Sequence, residues 1–400
     1  IVLTDGSEEI NSGIDEYYLS KNGSPVKVTR EGGHVVRVQG PFQVENEKNG
    51  IEGFISPDNG NVYSEVKGLQ QNKVVEEQNM ANGTTYILDS PLIPSARSVY
   101  NILTDNNQFD SPYYGKFYEL TEVDEDAVKH CGLVDEQKLT KTQVQNELKK
   151  YRIFVDENGP DYNVQFFNNY NYTAFIPTNE AVEEAISKGL PTWDEITRDD
   201  SLMQANVMHE LDSLRDVMKA NDYNEANRDA DQLRVDQLVE EAHNDSLLLQ
   251  AKITYLINFV RYHFIDNSVF ADQSAFASTD YVTASYDNKK GLFCKVNIRR
   301  PGGGQLEVQD ANTDASGNYT SPWLPVEGQV NIMARDISCN KRPSNTMNGV
   351  RIEGSSFIVI HQIPGVLNHT TLSADGRYDA AWASPADARK YVKRYAIRAK

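Results

Sequence analysis

The stretch Thr173-Ala174-Phe175-Ile176-Pro177-Thr178-Asn179-Glu180-Ala181-Val182 decides the fold. Phe175 and Ile176 alternate across an apolar strand. Pro177 has no N–H to give to a ladder and stops it. Thr178 or Asn179 can cap the helix that follows, and Glu180 in its first turn complements the helix dipole. A strand, a proline stop and a capped helix therefore meet within ten residues.

Outward from this stretch, Ser98 to Leu103 read as a short helix that opens a domain after the junction prolines Pro91 and Pro94. Residues 138–150 read as a helix, and 151–155 and 163–167 as strands. Val207, Leu211, Leu214 and Met218 step by four, three and four along one helical face, and Leu249, Ile253, Leu256 and Val260 repeat the stepping. The acidic run 219–247 between them is expected to be a solvated elbow. Residues 281–367 return to a β pattern.

Two segments resemble each other. Val26-Lys27-Val28, Gly32-Gly33 and Val36-Arg37-Val38-Gln39 match Cys294-Lys295-Val296, Gly302-Gly303-Gly304 and Leu306-Glu307-Val308-Gln309. Both predict hairpins closed by glycine turns. Farther on, Thr84-Thr85-Tyr86-Ile87-Leu88-Asp89 stands opposite Ser356-Phe357-Ile358-Val359-Ile360-His361 at near-equal spacing. The expectation is a duplicated domain whose first copy, residues 1–95, holds only its later half. The second copy spans 96–370, with insertions near 105–170 and 195–247, and 371–400 form a tail.

The segment 173–181 resembles the first signature of the fasciclin (FAS1) domain, T-V-F-A-P-T-N-x-A. Tyr262-His263, after the second helical face, is similar to that family's Tyr-His pair. Tyr86-Ile87-Leu88-Asp89 and Ile358-Val359-Ile360-His361 look like its closing strand. Val182 stands where the family has Phe, and His361 where it has Asp. The resemblance implies an α+β fold, a β-sandwich or wedge with packed helices in tandem copies, and a role in adhesion. Thr173, Phe175, Pro177, Thr178, Asn179, Tyr262 and His263 are read as structural. For His263, a hydrogen-bonded core imidazole is preferred over a metal or catalytic role, because metal ligands come in clusters.

The net charge of −19 disfavours nucleic acid and anionic membranes as partners. Three cysteines, Cys131, Cys294 and Cys339, make no disulfide framework; Cys294 and Cys339 could bridge, with free thiols preferred. No run reaches the roughly 18 apolar residues of a membrane span. A chain opening at Ile1 reads as a mature product with any targeting segment upstream. No nucleotide, zinc-protease or serine-hydrolase motif occurs, so neither a cofactor nor a catalytic residue is assigned. Asp310 to Asn318 could hold calcium by its spacing, but Ala315 at the sixth position and Ser321 at the twelfth favour a turn. The basic tail Lys390, Lys393, Arg394, Arg398 and Lys400 is read as solvated.

Aromatic residues offer the better lead. Tyr113, Tyr114, Tyr118, Tyr170 and Tyr172, with Phe117 and Phe166-Phe167, crowd the first insertion. Flat rings with a polar handle suit glycans, although clustered rings more often build a core. The sequence thus points to a secreted or cell-surface module, in style a bacterial lipoprotein, that binds an extracellular protein or glycan through its insertions. Sequons begin at Asn82, Asn171, Asn244, Asn318 and Asn368.

Overall fold

The computed structural model describes residues 2–3, 15–19, 25–44, 54–55, 62–63, 72–93, 98–104, 114–155, 163–164, 171–273, 279–287, 292–301, 305–336, 346–347, 350–351 and 356–369. Among them it is an α+β fold, with eight α-helices and one eight-stranded sheet curled into half a barrel.

The N-terminal strands β1 (Asp15–Leu19), β2 (Pro25–Glu31) and β3 (His34–Gln39) form their own antiparallel sheet. Gly32 and Gly33 turn β2 into β3 with φ of 58° and 85°, the paired positive values that a two-residue hairpin turn needs. A second hairpin, β4 (Val74–Met80) and β5 (Gly83–Leu88), lays Val74, Tyr86 and Leu88 against the buried Val26, Val28, Val35 and Val38.

In the large sheet the strands are β6 (Asn171–Pro177), β7 (Phe264–Asp266), β8 (Asp280–Asp287), β9 (Leu292–Arg299), β10 (Glu307–Asp310), β11 (Leu324–Pro325), β12 (Ile332–Asp336) and β13 (Ser356–Ile363). Their order is β11-β10-β9-β8-β7-β6-β13-β12. Only β6 and β13 run parallel, Thr173 opposite Val359 and Pro177 opposite Ile363. Their alternation divides two cores. Tyr172, Ala174, Ile176, Ile358 and Ile360 face the helices, while Phe175 and Ile363 face the inside of the curl with Val296, Ile298 and Val308.

Residues 26–39 and 294–309 each hold an antiparallel pair. Their neighbours differ, since β9 and β10 lie inside the large sheet and β2 and β3 do not. Among the described residues, the N-terminal segment meets the main body where Tyr17 and Val44 pack with Phe270, Met333 and Val359. Tyr17 stacks on Phe270 at 3.6 Å and donates to Asp272 at 2.9 Å, and Lys27 pairs with Asp272 at 3.0 Å.

The helices are α1 (Val99–Thr104), α2 (Gly115–Glu119), α3 (Glu125–His130), α4 (Lys141–Leu148), α5 (Asn179–Ser187), α6 (Trp193–Leu202), α7 (His209–Lys219) and α8 (Arg228–Tyr262). A capping box of Thr140 and Gln143 starts α4. A π-helical segment, Met203–Met208, joins α6 to α7. The acidic run corrects one expectation. The break covers only the residues between Lys219 and Arg228, and residues 228–247 are helical. Val235 and Leu238 seal against Val207 and Leu211, so a narrow seam holds an otherwise charged arm. The far half of α8, from Leu249, is buried on nearly every side, as an all-round apolar helix must be.

Candidate functional site

The signature residues turn inward. Thr173 donates its hydroxyl to the Asn267 carbonyl at 2.8 Å and accepts from the Val269 amide at 2.9 Å. Phe175 is fully buried and stacks on His361, ring centroids 5.6 Å apart. Pro177 is the last residue of β6. The Thr178 hydroxyl accepts from the Ala181 amide at 3.3 Å and caps α5.

Tyr262 and His263 close α8 onto the curl. The Tyr262 hydroxyl donates to the Lys295 carbonyl at 2.5 Å and accepts from the Ala311 amide at 3.2 Å. His263 is fully buried, its Nδ1 2.9 Å from the Phe259 carbonyl and its Nε2 accepting from the Leu367 amide at 3.1 Å. Burial lowers its pKa to about 4, so the imidazole is neutral and Nδ1 carries the proton. Both ring nitrogens are thus engaged by backbone groups inside the fold. Nearby, burial raises the Asp310 carboxyl to about 8, where it accepts from the Asn368 amide at 2.8 Å. The Asp310–Asn318 loop is a turn: Asp314 accepts from the Ser316 amide at 2.8 Å and the Asn318 amide at 2.9 Å.

These same residues seat α2. The Asn179 side chain accepts from the Lys116 amide at 3.0 Å, and Phe117 meets His263 edge-on at 5.2 Å. With Phe117 fixed inward, Tyr118 on the next position reaches an open cleft of about 630 Å³. Tyr100, Tyr118 and Phe154 form one wall. Tyr100 lies edge-on to Tyr118 at 5.7 Å and to Phe154 at 5.9 Å. Further lining comes from the start of α3, from Arg152, and from Thr192, Trp193, Asp194 and Thr197 around the start of α6. Asp124 caps α3 with one oxygen, taking the Asp126 and Ala127 amides, and accepts from the Thr197 hydroxyl at 2.6 Å with the other. The Trp193 indole donates to the Leu120 carbonyl at 2.9 Å and fixes the floor. Burial, and then the neighbouring Glu122, raise the Tyr118 phenol far above its usual range, so its hydroxyl stays neutral.

The aromatic residues singled out in the sequence separate here. Tyr118 lines the cleft. Tyr114 and Tyr172 are each 2 % exposed and belong to the helix-facing core, which corrects their reading as contact residues. Tyr113, Tyr170 and Phe166-Phe167 lie outside the described residues, as do Cys339 and the basic tail. Cys131 is a buried free thiol. Sequence reasoning missed Tyr100, Asp124, Arg152 and Thr197 as cleft residues; the cap pattern Asp124-Glu125-Asp126 was the one local signal. Asn368 is 3 % exposed, so its sequon is closed to modification in the folded chain. Among the described residues, no helix is long and apolar enough to cross a membrane.

Comparison of the chain with protein-family models, with curated proteins and with solved structures gave no match in any of the three.

Proposed function

We propose that this chain is a non-enzymatic interaction module of FAS1-like build, a partial copy followed by a complete one, working at a cell surface or in the extracellular space. The FAS1-like reading rests on the strand, proline stop and capped helix of 173–182, on the Tyr262-His263 closure, and on the parallel seating of β13 beside β6. Its partner is an extracellular protein or matrix component, and attachment to a membrane would come through an upstream lipid anchor. The observation that carries the reading is the division of labour. The signature residues are engaged inside the fold, while the first insertion, with Tyr100 and the start of α6, lines an open cleft.

A second reading, glycan capture, is favoured by the lining itself. Three rings in edge contact offer apolar area, and hydroxyl, carboxylate and guanidinium groups stand around them, the mix that small-ligand sites use for orientation. A glycan array probed with the full chain and with Tyr118→Ala separates the two. Spots lost in the variant support glycan capture. An empty array, together with adhesion to matrix protein that survives Tyr118→Ala, refutes it and leaves protein adhesion. A lipid-attachment cysteine upstream in the gene would support the surface location, and a cytoplasmic start would contradict it.

A further inference from the structure

We infer that the cleft selects glycans bearing a free amine, an amino sugar held as its ammonium form, over neutral and acidic sugars. The inference rests on the glycan reading above and adds the charge of the ligand. Five carboxylates line the cleft, those of Glu119, Glu122, Asp124, Glu125 and Asp194. Its two cations are already committed. Lys116 pairs with Glu119 at 3.0 Å, and Arg152 pairs with Glu125. Glu122, Asp124 and Asp194 have no ion-pair partner among the described residues, so the cleft carries an excess of three negative charges.

A concave site with low-dielectric walls concentrates such a field and draws in a cation. The wall strengthens the preference, because Tyr100, Tyr118 and Phe154 line the cleft and an aromatic ring attracts an ammonium as well as the C–H groups of a pyranose. An acidic sugar would meet three carboxylates that no ion pair neutralises, and neither Lys116 nor Arg152 could answer it without giving up its present partner. A basic peptide shares the ammonium but not the flat apolar face, and so uses half of what the cleft offers. The α6 end is built for a lasting geometry: the Thr197 hydroxyl and the α3 amides fix the Asp124 carboxylate in place.

Calorimetric titration of the full chain with four probes tests this: a glucosamine tetramer, its fully N-acetylated counterpart, a galacturonate tetramer and tetralysine. The glucosamine tetramer is expected to bind about tenfold more tightly than the N-acetylated form, with galacturonate weakest and the preference fading as salt rises. Glu122→Gln and Asp194→Asn should each weaken the glucosamine tetramer by about fivefold, the loss expected of one partly exposed charge contact, and should narrow its advantage over the N-acetylated form. Equal thermal midpoints for the variants and the parent exclude misfolding as the cause. Equal or tighter binding of the N-acetylated or galacturonate tetramer overturns the inference while glycan capture stands. Tetralysine binding as tightly as the glucosamine tetramer makes the cleft a basic-peptide site and also overturns it. Binding of no probe overturns the inference and counts against glycan capture itself.

Discussion

Replacing Tyr262 by Phe removes one oxygen and keeps the ring that packs with Phe175, Ile265 and Val296. That oxygen serves two backbone groups, the Lys295 carbonyl in β9 at 2.5 Å and the Ala311 amide just after β10 at 3.2 Å. The residue is 1 % exposed, so water cannot replace the hydroxyl without opening the core. Each neutral hydrogen bond is worth about 1 kcal/mol net, and stranding a buried donor costs about 1–3 kcal/mol, which puts Tyr262→Phe at about 2–4 kcal/mol of lost stability. Urea unfolding at pH 7, followed by far-UV circular dichroism, reads the loss directly. Hydrogen exchange at the Ala311 amide should accelerate in the same variant. Affinity at the cleft should not change, because the phenol lies inside the curl. A loss under about 0.5 kcal/mol with Ala311 still protected would refute the claim that the Tyr-His pair closes the long helix onto the sheet.

Other perturbations test separate parts of the fold. His263 is neutral when folded with a pKa of about 4, below its ordinary 6.5. Its contribution is therefore complete above about pH 6.5 and falls away as pH drops from there towards 4, a decline that His263→Leu should abolish in unfolding midpoints taken across that range. Asp310 runs the other way. Its folded pKa of about 8 lies above the ordinary 3.8, so stability from this group is lost as pH rises from about 4 to about 8, and Asp310→Asn should exceed the parent at pH 8 by about 2–4 kcal/mol in urea unfolding. Asp272→Ala removes the carboxylate that Lys27, Tyr17 and Asn331 share and should cost about 3 kcal/mol, read as easier proteolysis between the N-terminal sheet and the main body. Thr178→Ala removes the α5 cap and should lower stability by about 1 kcal/mol by the same unfolding assay.

The fold was most legible where one residue type admits one backbone role. Pro177 after an apolar strand and Thr178 before a helix leave little choice, and both stand where the sequence puts them. The acidic arm was misread because composition hid its seam. Val235, Leu238 and Ala242 keep helical spacing among charges, but three small apolar residues are a faint signal until α7 lies across them. The cleft was the least legible part. Tyr114 and Tyr118 lie four residues apart and look alike in sequence, yet one is core and the other lines the cleft. What separates them is the grip of Asn179 on the Lys116 amide and the packing of Phe117 on His263, contacts from distant parts of the chain. Asp124 with Thr197, and Glu125 with Arg152, are likewise brought together only by tertiary structure.

The central claim is that the signature holds the fold and the cleft holds the partner. Hydrogen-exchange footprinting of the full chain, with and without a saturating glucosamine tetramer, tests it most directly. The account predicts added protection in residues 115–125, 152–154 and 192–197, with 173–177 and 262–266 unchanged. Protection concentrated on the N-terminal strands or on the β8 and β9 hairpin, with the cleft segments unaltered, would contradict it.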